Sequence, residues 1–428
     1  WQKLAADMVW GQKQGVGDWA ERLNRNDPKL TSLTVLRFRS FAHEDVAQLC
    51  DSLSANTTLT ELYASGHSME RRTASVVADM LSSNTTLTHL CVGDSDFGSE
   101  ALKALSRGVA ASVSLRTLDL EHKGLDAVGM EPLGQAVRTS SSLRTLVLSR
   151  NQISDAGIAA LCREGLAQLE ELDLQECGLG QQACEALASG LERSPGALRR
   201  LWLNDNPLGG GVSMLAPLVR HQDGMLELGL RNVGLGDAEA AALARALPPG
   251  SSLALLDLSD NSLTLQEGSP LPLPAGLQRL LLRGNKIGDA GVAALAASLP
   301  EACPDLRELD LGGNALGSGA VAALQRINVP KLGLFACNIG DEGMTQLAQL
   351  SAEGHLRAVE ELDVAGCGAG MAGAQCLFDA LAAGAMPALR VLLLGANPAV
   401  EDEGWEGALQ RLRQARTELD VMWRTNDP

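Results

Sequence analysis

Aromatic residues are scarce in this sequence. They make up 3% of the 428 residues, with one Tyr and five Phe. A globular core rich in aromatic rings is therefore not indicated, whereas abundant small and aliphatic residues suit thin, regularly stacked layers. Long apolar runs are also missing. Since a membrane-spanning helix needs roughly 18 or more consecutive apolar residues, we expect no transmembrane helix.

Paired cysteine motifs are missing as well. The nine cysteines are odd in number and include no CxxC pair. Neither a complete disulfide framework nor a zinc-binding spacing fits this pattern, so a reducing compartment is indicated and we predict a cytoplasmic protein. Because the chain begins at Trp1 without a methionine, an organelle reached through a preceding targeting peptide is the open alternative.

Catalytic signatures are absent. The sequence has no GxxxxGK[ST] loop and no HExxH pair, and its six histidines are scattered. The triplet DFG at 96–98 stands without any other kinase signature. The triplet GGG at 209–211 is expected to be a loop. We therefore predict a non-catalytic protein with no catalytic residues, no cofactor and no metal site.

Basic residues are outnumbered, and the formal net charge is −17 at pH 7. Self-repulsion at this charge keeps a chain soluble and disfavours nucleic acid and anionic membranes as partners. The charge instead predicts a protein partner whose surface is basic or of mixed charge. The oligomeric state stays open.

What the sequence does contain is one segment repeated about fourteen times. In LRTLVLSRNQI, residues 143–153, leucines are separated by three and then two positions and are followed by an asparagine. Further clear copies begin at residues 115, 169, 198, 253, 277 and 306, and weaker ones at 33, 59, 87, 225, 329, 359 and 389. Most copies start 26–30 residues apart. Self-similarity at this period indicates a solenoid.

The pattern LxxLxLxx(N/C)xL resembles that of leucine-rich repeat proteins. The period near 28 and the helical segments between copies, such as 154–169, resemble the ribonuclease-inhibitor subtype, which receptors of innate immunity and the Ran GTPase-activating protein share. The resemblance covers residues 33–400. It implies an α/β fold, a right-handed solenoid horseshoe with parallel strands on its concave face and helices on its convex face.

Elementary geometry agrees with this architecture. Leu146 and Leu148 alternate with Val147, which is the period of a strand with one buried face, while Leu143 and Ile153 enter the same core. Stacked strands lie about 4.8 Å apart, whereas helices with side chains are about 10 Å across. The stack must therefore splay on the helix side.

The asparagine position has a structural explanation. The Asn151 amide is expected to satisfy backbone groups of the turn and of the neighbouring repeat. Cys177, Cys337 and Cys367 occupy the same position. Since a thiol is small and donates weakly, we interpret these cysteines as structural.

The chain is predicted to have three regions: an N-terminal helical cap at 1–32, one repeat array at 33–400, and a C-terminal capping helix and strand at 401–428. The residues expected to close the two ends are Trp1, Trp10 and Trp19 at the first layer and Leu419, Val421 and Trp423 at the last.

Two features interrupt the repeats. The segment TLQEGSPLPLPAG, 264–276, replaces a helix with a stretch rich in proline. It is either a local dent on the convex side or a docking notch for a partner. The sequons at Asn56 and Asn84 fall at the same place in successive repeats, so repeat geometry explains them better than glycosylation.

A partner is expected on the concave face, where the residues between the leucines point away from the core. The candidate binding residues are Tyr63, Asp119, Glu121, Asp173, Trp202, Asp205, Arg231, Asp257, Asp260, Arg283, Asp310, Phe335 and Asp363. Trp202 with Asp205 is the best single anchor, since aromatic residues and Arg dominate interface hot spots. An Asp within LDL is also a common choice of this repeat and can serve solubility alone.

The function predicted from these observations is a non-catalytic scaffold that binds a protein partner through the acidic concave face. One alternative is a structural subunit of a larger assembly. A second is a regulator of an enzyme, of the Ran GTPase-activating or ribonuclease-inhibitor type. The segment NDPKLTSL, 26–33, also resembles tropomodulin-type proteins, which suggests actin capping as a further alternative.

Overall fold

The computed structural model describes residues 15–163, 166, 168–193, 198–215, 224–247, 250–266 and 271–423. The chain divides into two compact units between Gly178 and Leu179, which we call unit 1 and unit 2. Both units repeat a short strand that is followed, in most repeats, by a helix. The predicted α/β solenoid with parallel strands is therefore confirmed within each unit.

The strands of each unit form a parallel sheet in which strands pair in chain order. In unit 1 they are β1 Ser32–Thr34, β2 Glu61–Ser65, β3 His89–Gly93, β4 Thr117–Asp119, β5 Thr145–Val147 and β6 Glu171–Asp173. In unit 2 they are β7 Arg200–Trp202, β8 Glu227–Gly229, β9 Leu255–Asp257, β10 Arg279–Leu281, β11 Glu308–Asp310, β12 Lys331–Gly333, β13 Glu361–Asp363, β14 Val391–Leu393 and β15 Asp420–Met422. Equivalent leucines are in register, as in Leu118, Leu146 and Leu172.

The helices pack behind these sheets. In unit 1 they are α1 Val16–Asn24, α2 His43–Ser54, α3 Arg71–Ser83, α4 Gly98–Ala111, α5 Met130–Thr139 and α6 Ser154–Cys162. In unit 2 they are α7 Gln181–Glu192, α8 Asp237–Ala246, α9 Asp289–Ala302, α10 Ser318–Ala323, α11 Gly340–Ala352, α12 Met371–Ala382 and α13 Trp405–Ala415. Short 3-10 helices lie at Ala127–Gly129, Gly209–Leu215, Leu324–Arg326 and Pro398–Glu401. None of the described helices is long and apolar enough to cross a membrane.

Small residues let these helices approach closely. A Cβ added at Gly108 of α4 would lie 2.4 Å from the Cα of Ala78 in α3. Below the strands, Leu143, Leu146 and Leu148 are at most 2% exposed. Each fully buried leucine contributes about 1.5–3 kcal/mol to folding relative to an exposed one. The odd leucine spacing therefore fills one continuous core from the strand and from its two flanks.

Where an asparagine follows the strand, it bonds both its own turn and the previous repeat, as Asn151 does. The Asn151 Oδ1 accepts from the backbone N–H groups of Lys123 (2.9 Å) and Leu125 (3.0 Å). Its Nδ2 donates to the carbonyls of Leu120 and Leu148, both at 2.8 Å. All of these groups are buried, so the amide satisfies polar atoms that water does not reach.

The same pattern holds in unit 2 at Asn261, Asn285, Asn314 and Asn397. At the cysteine positions the thiol makes fewer bonds: the Cys337 Sγ donates to the Leu311 carbonyl at 3.3 Å. None of the nine cysteines forms a disulfide, and burial raises the pKa of the Cys177 thiol to about 12. These thiols are therefore suited to packing and unsuited to nucleophilic chemistry.

The residue before the asparagine position adopts a left-handed conformation in many repeats. The φ angle is 60° at Arg150, 52° at Glu176, 60° at Asp205 and 54° at Asp260. This conformation is uncommon for residues other than Gly, and it turns the chain off the strand. Charged side chains are thereby placed along the edge of the sheet where the strands end.

Several local predictions need correction. The helix predicted over 154–169 begins at Ser154 but ends at Cys162. The expected loop at 209–211 begins the 3-10 helix Gly209–Leu215, which is held by buried Val212 and Leu215.

The proline-rich segment has no helix in its described residues, 264–266 and 271–276. Proline lacks a backbone N–H and cannot continue a helix, which explains the gap. The backbone N–H groups of Thr264 and Leu265 instead donate to the Asp237 carboxylate at 2.8 and 3.1 Å. The choice between a dent and a docking notch stays open.

Aromatic residues cover the N-terminal end of unit 1 and the C-terminal end of unit 2. Trp19 of α1 is buried and stacks under the Arg39 guanidinium, 5.4 Å from the ring centre. Trp405 is fully buried and contacts Phe378 and Trp423 at ring-centre distances of 5.4 and 5.8 Å. Trp1 and Trp10 lie outside the described residues, and the region boundaries at 32 and 401 stay predictions.

The two sequon asparagines are buried and fully engaged. The Asn84 Nδ2 donates to the Leu53 carbonyl at 2.7 Å, and its Oδ1 accepts from the N–H groups of Thr86 and Leu87. Asn56 makes the equivalent bond to the Leu23 carbonyl at 2.8 Å. Each amide holds the loop that leads into the next strand, which agrees with the explanation from repeat geometry.

Candidate protein-interaction surface

The face of each sheet that points away from the helices is partly exposed. In most strands the middle residue is buried, and the first and third residues are half-buried. We call the surface formed by these first and third residues, with the turn residues that follow them, the open strand face. Of the predicted residues, the third strand positions hold Tyr63, Asp119, Asp173, Trp202, Asp257, Asp310 and Asp363, and the following turns hold Glu121, Asp205, Arg231, Asp260, Arg283 and Phe335.

In unit 1 the predicted residues form two groups. Tyr63 and Asp119 flank Cys91 in register across three strands. Burial and the nearby Glu61 carboxylate raise the pKa of the Tyr63 hydroxyl. Glu121 lies in the turn after β4, and the Arg150 guanidinium bridges its carboxylate at 3.4 Å and that of Glu176 at 3.2 Å.

The aspartates of the LDL segments have a local role that the sequence interpretation did not identify. The Asp119 and Asp257 carboxylates each accept the backbone N–H two residues later at 2.9 Å. Asp173 and Asp310 do the same at 3.0 and 2.9 Å, and Asp363 at 3.0 Å. Each carboxylate closes the turn after its strand, and the second oxygen of Asp173 also accepts from the Gln175 amide at 3.1 Å.

Burial also alters two of these acids. It raises the pKa of the Asp173 and Asp363 carboxyl groups, against the effect of the backbone hydrogen bonds, which lower it. These acids therefore hold a proton more readily than an exposed aspartate does.

The predicted anchor Trp202 is brought together with Asp205 and Arg231 in unit 2. The indole lies over the next strand, since a Cβ at Gly229 would be 2.5 Å from its Cε3 atom. The Asp205 carboxylate accepts from the Arg231 guanidinium and from the Asn232 amide, the latter at 3.0 Å. The acid beside Trp202 is therefore already engaged within the unit.

A row of alternating charges in the first strand positions was missed by the sequence interpretation. Arg279 pairs with Glu308, which pairs with Lys331 at 3.4 Å, which pairs with Glu361 at 3.1 Å. We call these four residues the charge ladder. The signal was present in the sequence, because these residues occupy one position, directly before the second leucine of the pattern, in four successive repeats. The sequence interpretation considered only the position after that leucine and the turn that follows.

Beside the charge ladder, Arg283 and Phe335 form the second aromatic feature of unit 2. The Arg283 guanidinium lies 4.4 Å from the centre of the Phe335 ring. Gly333 lies between Asp310 and Asp363 in register, and its missing side chain lets the Asp310 carboxylate lie over it, since a Cβ there would be 2.7 Å from that carboxylate. A half-buried aromatic ring, an exposed cation and two half-buried carboxylates thus lie within a few strands of each other.

The described residues contain no group of three or more His, Cys, Asp or Glu side chains that could hold a metal ion. The open strand face carries half-buried rings and paired charges spread over several strands.

Comparison with known proteins agrees with the repeat pattern. The sequence model of the Leucine Rich repeat family matches residues 83–106, 139–162, 277–296 and 302–324. Over 318 residues the chain is 28% identical to the ribonuclease inhibitor of Mus musculus, covering 64% of this chain and 68% of the relative. The chain is built of leucine-rich repeats, and these are similar in sequence to the repeats of the ribonuclease inhibitors.

Other relatives are matched over shorter parts of their length. The ribonuclease inhibitor of Sus scrofa is 30% identical over 250 residues, which are 54% of this leucine-rich repeat protein and 53% of that relative. The NACHT, LRR and PYD domains-containing protein 14 of Homo sapiens is 32% identical over 44% of this chain, which spans 19% of that relative.

Among solved structures, the Rad7 and Elc1 complex in yeast matches with a TM-score of 0.50 and 16% identity, covering 95% of this chain and 87% of that chain. This likeness supports the fold alone. Proteins with this fold are generally protein-interaction scaffolds and are typically non-catalytic.

Proposed function

We propose that this leucine-rich repeat protein is a non-catalytic scaffold whose open strand face in unit 2 binds a protein partner of mixed charge. The observation that carries the proposal is the charge ladder, with the half-buried ring of Phe335 beside it and the half-buried ring of Trp202 on the same face of unit 2. A uniformly basic partner would face Arg279 and Lys331, whereas a partner with alternating charges can pair with both basic and acidic members of the ladder.

The energetics favour this exchange of partners. Ion pairs at an exposed surface contribute only about 0–1 kcal/mol each. The Arg279, Lys331 and Glu361 side chains are 35–48% exposed and can therefore re-pair with a partner at little cost, while Glu308, at 15%, stays within the ladder. Affinity must come instead from rings that leave water. Trp202 and the stacked pair of Arg283 and Phe335 belong to the residue types that dominate interface hot spots.

The test is quantitative affinity capture from native extract with three forms of the chain. One carries Trp202→Ala and Arg283→Ala. The matched control carries Met214→Ala and Arg326→Ala, which also remove one exposed apolar side chain and one exposed arginine from unit 2. We expect a protein that the wild type and the control capture equally, and that the open-face variant captures at least about tenfold less, as the loss of one hot spot implies.

Urea unfolding of the same samples shows whether the variants are folded. If the folded open-face variant retains every protein that the wild type captures, the open strand face of unit 2 is not the interface and the proposal is wrong.

Inhibition of a basic ribonuclease is a second candidate, favoured by the similarity to the ribonuclease inhibitors of Mus musculus and Sus scrofa. Titration of the chain into a pancreatic-type ribonuclease assay tests it directly. Stoichiometric loss of RNA cleavage would identify the partner. Unchanged RNA cleavage at micromolar concentrations of the protein would rule out this class of enzyme as the partner.

The remaining roles predicted from the sequence stay predictions. A fixed place in a large assembly, GTPase regulation and actin capping are addressed by size-exclusion of native extract, GTP hydrolysis and actin co-sedimentation. The expectations that the chain binds neither nucleic acid nor membranes and resides in the cytoplasm also stay predictions.

A further inference from the structure

Unit 1 contains a cavity of about 330 Å³ that lies outside the open strand face. Three consecutive loops line it, at 85–88, 113–116 and 141–144, each leading into its strand. Because the loops occupy the same place in successive repeats, their side chains converge on one spot. The lining combines two arginines, six hydroxyl groups and one valine, with no acidic side chain among them.

The two arginines differ in how they are held. The Arg144 Nη1 donates to the carbonyls of Ser141 and Leu143 at 3.1 and 3.0 Å, and its Nε lies 3.6 Å from the Glu170 carboxylate. These bonds fix its orientation. Arg116 is exposed, and its guanidinium makes no hydrogen bond or ion pair with the described part of the chain. One cation is therefore preorganised and the other is available.

Some hydroxyl groups of the lining are held by hydrogen bonds and others are available. The Ser114 and Ser142 hydroxyls donate to the carbonyls of Asn84 and Ser112, which fixes neighbouring loops to each other. The hydroxyls of Thr85, Thr86 and Ser141 have no partner among the described residues. Free hydroxyls beside a guanidinium are donors suited to the oxygens of a tetrahedral anion, and Arg matches phosphate with two parallel N–H bonds.

The charge of the whole chain narrows the class of ligand. At a net charge of −17, a polyanion such as RNA or an anionic bilayer is repelled along most of its length. A single phosphate on a short segment avoids this penalty. Val113, which is 65% exposed at the cavity, adds an apolar contact for residues next to the phosphate.

We propose that this cavity binds a phosphoserine or phosphothreonine side chain of a partner protein, with Arg116 as its principal ligand. Recognition of phosphorylated segments by arginine clusters is a general mode of peptide binding. The site is independent of the proposed function, because it lies in unit 1 and shares no residue with the charge ladder or with Trp202.

The experiment uses the full chain and fluorescence anisotropy. The probes are two fluorescein-labelled peptide libraries, degenerate at their flanks and fixed at a central phosphoserine or at serine. We expect the phosphoserine library to bind at least about tenfold more tightly than the serine library, since one charge-assisted contact is sufficient for that ratio. Equal binding of the two libraries would overturn the proposal.

Three variants of unit 1 sharpen the test. Arg116→Gln is expected to weaken phosphoserine binding at least about tenfold, and Arg116→Lys by less, because a lysine keeps the charge and loses the paired geometry. The matched control Arg71→Gln removes one exposed positive charge from α3 and should change binding less than about twofold. Equal weakening by Arg71→Gln would mean unspecific attraction and would contradict the site.

Competition distinguishes the sources of phosphate. Inorganic phosphate should displace the phosphoserine library only at far higher concentration. Single-stranded RNA and phosphatidylserine vesicles should not displace it. Tighter binding of inorganic phosphate, RNA or vesicles than of the library would overturn the assignment to a protein segment. The open-face variant, with Trp202→Ala and Arg283→Ala, should bind the library as the wild type does, so failure of the phosphate site leaves the proposed function untouched.

Discussion

The two units fill the asparagine position of their repeats differently. In unit 2 it holds Asn206, Val233, Asn261, Asn285, Asn314, Cys337, Cys367 and Asn397, and in unit 1 Phe41, His67, Ser95, Lys123, Asn151 and Cys177. Unit 2 therefore repeats one amide network, with cysteine as its main replacement. Unit 1 uses a different side chain in most repeats.

The unit 1 replacements still find partners, but elsewhere. The His67 Nε2 lies 3.2 Å from the Val35 carbonyl of the preceding repeat. Lys123 is 3% exposed, and its Nζ donates to the Ser65 hydroxyl at 2.7 Å. A buried ammonium with one side-chain acceptor is a costly replacement for an amide that makes five bonds, as that of Asn151 does. The solenoid thus depends strictly on its leucines and loosely on this polar position.

The largest expected effect concerns what the two units share. Leu146→Ala in unit 1 and Leu309→Ala in unit 2 remove equivalent buried side chains. Each should lower the free energy of unfolding by about 2–5 kcal/mol, as cavity-forming substitutions do. Urea unfolding followed by circular dichroism measures both, with half-exposed Leu36→Ala as the control. A small loss in one unit alone would break the equivalence of the two cores.

The second prediction compares amide with thiol. Asn261→Ala leaves the buried N–H groups of Val233 and Leu235 without an acceptor and should cost about 1–3 kcal/mol. Cys337→Ala removes only one weak bond and should cost less. The same urea titration decides between them. Equal losses of unfolding free energy in the two variants would show that the number of hydrogen bonds made at the asparagine position does not determine its contribution to stability.

The third prediction restores the regular residue in unit 1. Lys123→Asn replaces a buried ammonium by an amide and should raise the free energy of unfolding by about 1 kcal/mol. The control Lys103→Asn makes the same change at an exposed position of α4, where helix propensity predicts a slight decrease. If Lys123→Asn destabilises the chain instead, unit 1 has adapted to its lysine.

The fourth prediction is a pH dependence common to both units. Burial raises the folded pKa of Asp173 and Asp363 above the ordinary value of 3.8. The folded state therefore binds protons more readily, so the stability from these groups is present at low pH and is lost as pH rises from 3.8 through the folded pKa. Asp363→Asn and Asp173→Asn should raise the urea midpoint slightly at pH 7 and leave it nearly unchanged at pH 3. A larger gain at pH 3 would contradict the sign.

The smallest effect is on thiol reactivity. Cys376 is the exposed cysteine, whereas the other eight are buried. In the native protein, an aromatic disulfide such as dithiobis(nitrobenzoate) should modify one thiol in a fast phase. Cys376→Ser should abolish that fast phase. Rapid reaction of the thiols at 177, 337 or 367 would show that these positions open in one or both units.

The sequence alone was sufficient for the strands, the buried leucines and the role of Asn151. These follow from local periodicity, and each repeat confirms the others. The charge ladder was also accessible, because residues at one position of successive repeats must be neighbours. It was missed only because the positions before the second leucine were not compared.

Other features could not be obtained from the pattern. The engagement of Asp205 by Arg231 and Asn232 depends on side-chain rotamers and on a left-handed backbone at Asp205. The bond between Lys123 and Ser65 spans two repeats and replaces a residue that the pattern requires. The cavity at Arg116 arises from hydroxyl groups in loops that the leucine pattern does not constrain.

The asparagine bonds described above have a direction. Asn151, Asn261 and Asn314 each accept a hydrogen bond from a turn N–H group of the repeat before them. In these repeats the turn is therefore completed by the asparagine of the next repeat. Shortening a unit from its C-terminal side therefore leaves buried N–H groups in the last remaining turn without their asparagine acceptor. Shortening it from the N-terminal side leaves the N–H groups at the entry to the first remaining strand without an acceptor, as for Arg144 and Thr145 without the Arg116 carbonyl. A designed fragment should accordingly end one asparagine beyond the last repeat it needs and keep a capping segment before its first strand.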